Sequence, residues 1–330
     1  MAMRGAVAAR LRRALVPAAK LTVSVGLLAF LLHKAGLPAL ASAARSASLP
    51  WIVLALVLGL LATAAQTGQW RALLRAIGMP RSWLRCLRLV FVGNTFNTIL
   101  PSSIGGDVVR AAMVADAPDE RVSALTTVVL QRLCNFPGMI VIMGAGVLLT
   151  LGNHEADRAR PIATLGVVAG VAGLVICTTP LLGWLAQRRL VHVVRLNGVL
   201  QKLHDFRVER RVLLLASGRG TAFWSLTVLN QWAFMHAVGI PISIPYAAVV
   251  ATTVNAITML PISINGYGVR DGGFVALLAG LVAPSAALAA SFCLAGQSLL
   301  WALIGLPFAV TNRRRATPSA VATVAAARAA

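Results

Sequence analysis

Acidic and, more broadly, charged residues are scarce in this sequence. Charged residues make up 12% of the chain, and only 9 Asp and Glu stand against 30 Lys and Arg. Soluble domains carry roughly 25% charged residues, and this chain is instead 58% hydrophobic with a mean hydropathy of +0.81. Several apolar runs reach the ~20 residues that a helix needs to cross a bilayer. The composition therefore excludes a soluble α/β enzyme and predicts an all-α polytopic membrane protein.

The residue patterns of several catalytic and metal sites are also missing. The sequence has no G-x-x-x-x-G-K-[ST] phosphate loop, no metal-ligand spacing among its five histidines and no evident Ser/His/Asp arrangement. The cysteines lie in or beside apolar runs, form no C-x-x-C pair and are interpreted as small apolar residues: Cys86, Cys134, Cys177 and Cys293. We expect no metal site, no cofactor, no ATP hydrolysis by this chain and no enzymatic activity.

Basic residues are the one charge type in excess, with a formal net charge of +21. On a soluble protein this charge would suggest nucleic acid, but here Lys and Arg collect between apolar runs, as in cytoplasmic loops that contact anionic phospholipids. The densest cluster, residues 186–219, has apolar residues at three- and four-residue spacing. It is predicted to be an amphipathic helix on the inner membrane surface, and a specific regulatory site for anionic lipid is the alternative. Nucleic acid is not expected as a partner.

The chain divides into a basic cytoplasmic N-terminus (1–14), a membrane domain (15–312) and an Ala-rich tail (313–330) predicted to be disordered and cytoplasmic. A removable signal peptide around the first apolar run is an alternative, but the multi-spanning remainder favours an uncleaved first span. The runs predicted to cross the membrane are residues 21–32, 50–69, 122–151, 161–185, 221–238 and 285–310.

A thirteen-residue motif occurs twice and indicates that the two halves share one plan. Residues 98–110 (TILPSSIGGDVVR) recur 160 positions later as residues 258–270 (TMLPISINGYGVR), with eight identical positions. A Gln-Trp pair precedes each copy by about thirty residues, at 69–70 and at 231–232. An internal repeat of this kind constrains the architecture, so it is considered before the other features of the sequence.

The charges of the loops indicate from which membrane face each motif segment enters. If residues 87–118 crossed fully, the basic segment 186–219 would fall outside and the acidic loop around 155–157 inside, against the positive-inside rule. If 87–118 enters and leaves by the cytoplasmic face and 246–282 by the outer face, every loop agrees. The prediction is about six full spans plus two re-entrant helical hairpins in inverted repeats, an architecture typical of secondary transporters. A hydropathy plot could count seven or eight spans, and both termini are predicted to be cytoplasmic.

The motif residues suit a broken helix that binds an anion. Pro ends a helix and Gly lets the chain turn, and the predicted hairpin-breaking residues are Pro101, Gly105, Gly106, Pro261, Gly266 and Gly268. Helix N-termini and forked guanidinium groups attract phosphate. The predicted substrate-binding residues are Arg110, Arg270, Asp107, Arg132, Asp271, Ser103, Ser263 and Asn97. A purely structural alternative pairs Asp107 with Arg132, or Asp271 with Arg110.

At residues 94–97 (NTFN), 100–110 (LPSSIGGDVVR), 131–132 (QR) and 260–271 (LPISINGYGVRD), the sequence resembles the flippase-like membrane domain of lysylphosphatidylglycerol synthases and its stand-alone relatives. The likeness covers roughly residues 15–312. It implies a protein of the bacterial or archaeal inner membrane that moves a lipid between leaflets. Asn265 and Asp271 depart from the expected Gly and Glu, and the soluble aminoacyl-transferase domain of the full synthases is missing.

The resemblance implies a lipid translocase whose substrate is a phospholipid or a lipid-linked headgroup. Lysyl-phosphatidylglycerol is one candidate beside other phospholipids, hopanoid-type lipids and polyprenyl-linked sugars. The alternative is a non-transporting membrane subunit that recruits or regulates a lipid-modifying enzyme or a glycosyltransferase, with 186–219 as its docking surface. Homodimerisation is left open.

Overall fold

The computed structural model of the protein describes residues 45–99, 105–150, 210–259 and 266–313, together with isolated positions before residue 45 and residue 164. The spans expected at 21–32 and 161–185, most of the basic segment 186–219, and the tail from residue 314 lie outside the described residues. So do the two motif tips, with Pro101, Ser103, Pro261 and Ser263.

Eight helices make up this part of the chain, four in each half. They are α1 (Leu49–Ala76), α2 (Trp83–Ile99), α3 (Gly105–Val114), α4 (Glu120–Leu149), α5 (Arg210–Ala237), α6 (Ile244–Thr258), α7 (Val269–Leu277) and α8 (Pro284–Arg313). The described ranges contain no β-strand, so the all-α prediction is confirmed.

Four of these helices, α1, α4, α5 and α8, are long and apolar enough to cross a membrane by length and composition. Large apolar side chains lie exposed along their outer faces, for example Leu49, Leu148 and Leu303, each more than 60% exposed. On a soluble surface such faces would be costly, and in a bilayer they contact lipid. The described part is therefore a polytopic all-α membrane protein, as expected.

The start of α5 differs from the sequence prediction. Residues 210–219 were assigned to a surface helix ending before a span at 221–238, but α5 begins at Arg210 and is continuous. Its first turns are held by packing, because Ala216 is buried in a cluster with Leu73 of α1. Arg219 stays exposed. Burial of one apolar stripe thus extends the spanning helix into the basic segment.

Helices α2 and α3 form the first hairpin. Near its tip, Asn97 Oδ1 accepts a hydrogen bond from the Gly106 amide at 2.8 Å, and near its base Arg85 Nη2 donates to the Val114 carbonyl at 3.3 Å. Residue numbers thus rise along one helix as they fall along the other. The chain enters and leaves this segment at the same end, as predicted.

Helices α6 and α7 form the second hairpin in the same manner. Tyr246 donates its hydroxyl hydrogen to the Leu277 carbonyl at 2.6 Å near the base, and Gly266 lies against Thr258 near the tip. Gly266 and Gly268 have φ of 76° and 79°, which L side chains rarely adopt, so the two predicted hairpin-breaking glycines form the turn before α7.

The equivalent helices α1 and α5 lie antiparallel. Trp51 at the start of α1 packs against His236 at the end of α5, with ring centroids 4.9 Å apart. Gln69, near the end of α1, donates to the Ala216 carbonyl near the start of α5 at 2.9 Å. Because α1 and α5 occupy the same place in the two repeats, their opposite directions make the halves inverted repeats.

The two hairpins consequently enter from opposite faces. Each follows the end of the first described helix of its own half: Arg71 donates to the Arg81 carbonyl at 3.1 Å, and Trp232 donates to the Ile242 carbonyl at 2.9 Å. These helix ends point in opposite directions. Each hairpin also packs on the last helix of the other half, as where Thr95 of α2 donates to the Ala302 carbonyl of α8 at 2.8 Å.

Candidate functional site

A cavity of about 410 Å³ lies where the first hairpin meets α1, α4, α5 and the end of α6. Its charged lining residues are Asp107, Arg110 and Arg132; its amide side chains are Gln66, Asn94, Asn97, Gln131, Asn135 and Asn255; its apolar residues include Val90, Phe136, Phe223, Trp224 and Met259. The residues from α4 and α5 come from the middle of those spanning helices. The cavity therefore lies near half the depth of the helix bundle.

Two glycines bring the first hairpin together beside this cavity. A side chain on Gly106 would collide with the Gly93 carbonyl, so α3 packs directly on the backbone of α2. The Asn97 side chain accepts from the Gly106 amide and satisfies one of the unpaired donors at the start of α3. This close approach places Asp107 and Arg110, in the first turns of α3, on the cavity wall.

Asp107 bridges two arginines. Arg110 Nε donates to Asp107 Oδ1 at 2.9 Å, and Arg132 Nε donates to Asp107 Oδ2 at 2.8 Å. The Asp107–Arg132 pair expected under the structural alternative is thus present. Arg110 is buried with its side chain 4% exposed, whereas the Arg132 side chain is 43% exposed. The three charged lining residues carry a net charge of +1.

Arg110 is held by polar and aromatic neighbours as well. Its Nη2 donates to Gln131 Oε1 at 3.0 Å, and its guanidinium lies 4.6 Å from the centre of a Trp70 ring, a cation–π contact. Gln131 in turn donates to the Gln66 carbonyl at 2.8 Å, and the Trp70 indole donates to Thr127 at 3.0 Å. The guanidinium is therefore fixed in orientation.

Two buried donors on the cavity wall have no acceptor among the described residues. They are Arg110 Nη1 and Trp224 Nε1. Leaving a buried donor unsatisfied costs about 1–3 kcal/mol, and both donors belong to residues that line a cavity with a positive charge balance. The arrangement suits a ligand that brings hydrogen-bond acceptors and negative charge.

The charged residues of the second motif do not line this cavity. Arg270 Nε donates to Ser291 Oγ at 3.1 Å, and its guanidinium stacks on Tyr267. Asp271 accepts from the Gly268 amide at 2.8 Å and from the Ser291 hydroxyl, and it lies apart from Arg110. These residues tie the start of α7 to α8.

The difference between the halves follows from the helix that faces each hairpin. At the offset of 162 positions that relates Asn135 of α4 to Gln297 of α8, which accept equivalent hydrogen bonds from Gln69 and Asn230, Cys293 and Leu294 stand where α4 has Gln131 and Arg132. The second half therefore lacks the polar partners that surround Arg110. Of the predicted binding residues, Asn97, Asp107, Arg110 and Arg132 meet in one cavity, and Arg270 and Asp271 lie elsewhere.

Sequence reasoning did not assign a binding role to Gln66, Asn135, Phe223 or Trp224. The spacing of Gln131 and Asn135, four residues apart in an apolar helix, is a signal that places both on one face. Phe223 and Trp224 carry no such signal, because aromatic residues in a membrane span usually pack.

Comparison with known proteins identifies a family and a relative. The model of the family described as "Lysylphosphatidylglycerol synthase TM region" matches residues 18–305. A "UPF0104 membrane protein" of Methanothermobacter thermautotrophicus is 26% identical over 254 residues, which cover 70% of this chain and 75% of that protein. The family match includes both hairpins and every residue of the cavity wall.

Proposed function

This chain belongs to the family of the lysylphosphatidylglycerol synthase TM region, and from that premise we propose that it moves a lipid with a phosphorylated headgroup between the leaflets of the inner membrane. The headgroup binds in the cavity of the first hairpin, and the acyl chains stay in the surrounding lipid. The chain acts without its own ATPase and transfers no aminoacyl group.

The observation that carries this proposal is the pair of unpartnered buried donors, Arg110 Nη1 and Trp224 Nε1. A phosphate oxygen accepts hydrogen bonds from both kinds of donor, and a guanidinium–phosphate bond is among the stronger hydrogen bonds in proteins. The position of the cavity at mid-depth between inverted repeats is the usual position of a transporter's substrate site.

Asp107 gives the site a way to hold and release an anion. It pairs with both Arg110 and Arg132 when no phosphate is bound and offsets one of their two positive charges. An incoming phosphate competes with it for their N–H groups. Arg132 is the more exposed of the two cations, so it exchanges partners first. Arg110, fixed by Gln131 and Trp70, remains the permanent part of the site.

The positive-inside rule supports a cytoplasmic base for the first hairpin. Arginines cluster at the end of α1 and the start of α2: Arg71, Arg75, Arg81, Arg85 and Arg88. With that base inside, the second hairpin opens to the outer face and both termini are cytoplasmic. A headgroup in the cavity is then reached from one face or the other as the hairpins move.

The test is lipid flux in proteoliposomes with acyl-labelled phospholipids. Trp224→Phe keeps an aromatic ring and removes the indole donor, and Arg110→Lys keeps the charge and removes the forked guanidinium group. Each is expected to slow flux about tenfold or more, since a hydrogen bond to a charged group contributes about 1.5–3 kcal/mol. Trp51→Phe and Arg75→Ala, outside the cavity wall, are the matched controls and should retain normal flux.

Normal flux in Arg110→Lys and Trp224→Phe would overturn the assignment of the site. No flux of any lipid by folded protein, together with stable co-purification of a lipid-modifying enzyme or a glycosyltransferase, would support the non-transporting subunit instead.

A further inference from the structure

We propose that the headgroup bound in this cavity is a phosphodiester that carries hydroxyl groups and no ammonium group, as in phosphatidylglycerol or phosphatidylinositol. This inference rests on the proposed function and narrows its substrate class. It is based on the net charge of the cavity and on the amide donors and acceptors of its wall that have no partner among the described residues.

The charge balance disfavours a cationic headgroup. Each carboxylate oxygen of Asp107 already accepts from an arginine, Oδ1 from Arg110 at 2.9 Å and Oδ2 from Arg132 at 2.8 Å. An ammonium group entering the cavity would meet two guanidinium groups and one carboxylate that is already neutralised. Burying a charge without a partner of opposite sign is costly.

The other carboxylates that accept hydrogen bonds from side chains or amides in the described ranges are engaged elsewhere. Asp271 accepts from the Gly268 amide and Ser291. Glu120 accepts from Arg81 at 2.7 Å, and Asp116 accepts from Arg85 at 2.6 Å, both at the base of the first hairpin. None of these lines the cavity, so they leave Asp107 as its one acidic lining residue.

The amide side chains of the cavity wall offer both hydrogen-bond donors and hydrogen-bond acceptors to hydroxyl groups. Asn97 and Asn135 each use Oδ1 as an acceptor, for Gly106 and Gln69, which leaves their amino groups as donors. Asn255 uses Nδ2 to donate to the Ala251 carbonyl, which leaves its oxygen as an acceptor.

The side chains of Gln66 and Asn94 have no hydrogen-bond partner in the described part of the chain and supply both kinds of group. A hydroxyl donates one hydrogen bond and accepts others, so a wall of mixed amide donors and acceptors fits a diol or polyol. A phosphate monoester has acceptor oxygens for the amide donors but lacks the polyol hydroxyls that could pair with both the donors and the acceptors of this wall.

The substrate class named by the family is disfavoured by the same reasoning. Lysyl-phosphatidylglycerol adds ammonium groups to the headgroup and makes its net charge positive. Phosphatidylethanolamine is zwitterionic and would place its ammonium beside the arginines. Both are expected to be transported and bound at least about tenfold less well than phosphatidylglycerol. A tenfold difference in affinity corresponds to about 1.4 kcal/mol, and a like-charge contact costs more than that.

The experiment measures transport and binding side by side. Phosphatidylcholine vesicles containing the protein receive a trace of one acyl-labelled lipid: phosphatidylglycerol, phosphatidylinositol, phosphatidic acid, phosphatidylethanolamine or lysyl-phosphatidylglycerol. In parallel, the Tm of the protein in detergent is measured with each lipid unlabelled. The expected order is phosphatidylglycerol and phosphatidylinositol first, phosphatidic acid lower, and the two ammonium lipids lowest.

Two variants of Asn94 of similar size test separately the exclusion of ammonium groups and the recognition of hydroxyl groups. Asn94→Asp adds a carboxylate to the wall and should reverse the preference toward the ammonium lipids. Asn94→Leu removes the amide and should reduce the advantage of phosphatidylglycerol over phosphatidic acid. Both keep the backbone carbonyl that accepts from Thr98.

The outcomes distinguish the two proposals. Flux or stabilisation by an ammonium lipid equal to that by phosphatidylglycerol would overturn the headgroup class and leave a translocase standing. Selective stabilisation by phosphatidylglycerol without flux of any lipid would uphold the headgroup class and overturn transport. Equal responses to phosphatidic acid and phosphatidylglycerol would overturn the hydroxyl requirement.

Discussion

Gln69 and Asn230 make the same hydrogen bond from opposite halves of the protein. Gln69 Nε2 donates to the Ala216 carbonyl at 2.9 Å, and Asn230 Nδ2 donates to the Ala55 carbonyl at 2.6 Å. Both bonds join α1 to α5, and 161 positions separate Gln69 from Asn230 and Ala55 from Ala216. The crossing of α1 and α5 is therefore symmetric in its contacts.

The same two amides reach a third helix in each half. Gln69 donates to Asn135 of α4 at 2.9 Å, and Asn230 donates to Gln297 of α8 at 2.9 Å. A glycine faces each cluster, Gly220 beside the first and Gly59 beside the second.

Substituting Gly220 should destabilise this crossing. An alanine Cβ there would lie 2.7 Å from the Cys134 carbonyl, whereas a Cβ on Gly218 meets nothing within 4 Å. Gly220→Ala is expected to cost about 1–3 kcal/mol of stability through overpacking. Gly218→Ala, two residues away, should leave the Tm unchanged or slightly raised, since Ala favours helix over Gly. Thermal unfolding in detergent measures both, and equal Tm values would contradict a tightly packed crossing.

Arg110 and Arg270 should differ in what their substitution does, although they occupy the same motif position. Arg270→Gln removes contacts to Ser291 and Tyr267 and should lower the Tm with little change in the headgroup preference of the remaining flux. Arg110→Lys should change flux and lipid-induced stabilisation. The headgroup panel measured on both variants is the check, and a changed preference in Arg270→Gln would place the second motif in the binding site.

Cysteine labelling tests the opposite entry of the hairpins. In a variant without the four native cysteines, Ser82→Cys marks the base of the first hairpin and Ala283→Cys marks the base of the second. Both native residues are exposed. An impermeant maleimide should label Ser82→Cys only from the cytoplasmic face and Ala283→Cys only from the outer face. Labelling of both from one face would rule out inverted hairpins.

The ionic contacts at the base of the first hairpin should be lost in acid. The hydrogen bond from Arg85 holds the pKa of Asp116 below its ordinary value. A carboxyl whose folded pKa is lowered contributes stability above its unfolded pKa, and the contribution disappears as the pH falls through the folded value. Asp116→Asn should therefore have a slightly lower Tm than the native protein near neutral pH. The two Tm values should converge as the pH falls below the ordinary pKa of an aspartate and through the lowered pKa of Asp116. A constant difference over that fall in pH would show that the ion pair is not the cause.

Several features of the fold were predictable because they rest on the membrane and on charge. Apolar runs located four spanning helices, since a bilayer requires ~20 apolar residues whatever their packing partners. The repeated motif and the loop charges together predicted two hairpins with opposite entry. Apolar runs, loop charges and a repeated motif are visible in the sequence itself, without knowledge of which residues contact one another in the fold.

The candidate site was only partly predictable, because it depends on which side chains of other helices contact the motif residues. The motif alone suggested equal roles for Arg110 and Arg270, but the helices facing them differ, with Gln131 in one case and Ser291 in the other. Trp224 enters the cavity from α5, far from the motif in sequence. The repeated Gln-Trp pairs also matched Gln69 to Gln231, whereas the hydrogen bonds match Gln69 to Asn230. A helix can shift its register by one residue without losing its apolar character, and only packing fixes that shift.

The symmetric crossing of α1 and α5 has a consequence for the ancestry of the chain. Contacts in which each residue meets the counterpart of its partner are those of an isologous dimer, so a single half carries both sides of the interface. Two copies of one ancestral half, inserted in opposite directions, could have formed this crossing before their genes fused. Within one chain the two halves need not stay alike, and α8 has Cys293 and Leu294 where α4 has the Gln131 and Arg132 of the charged cavity.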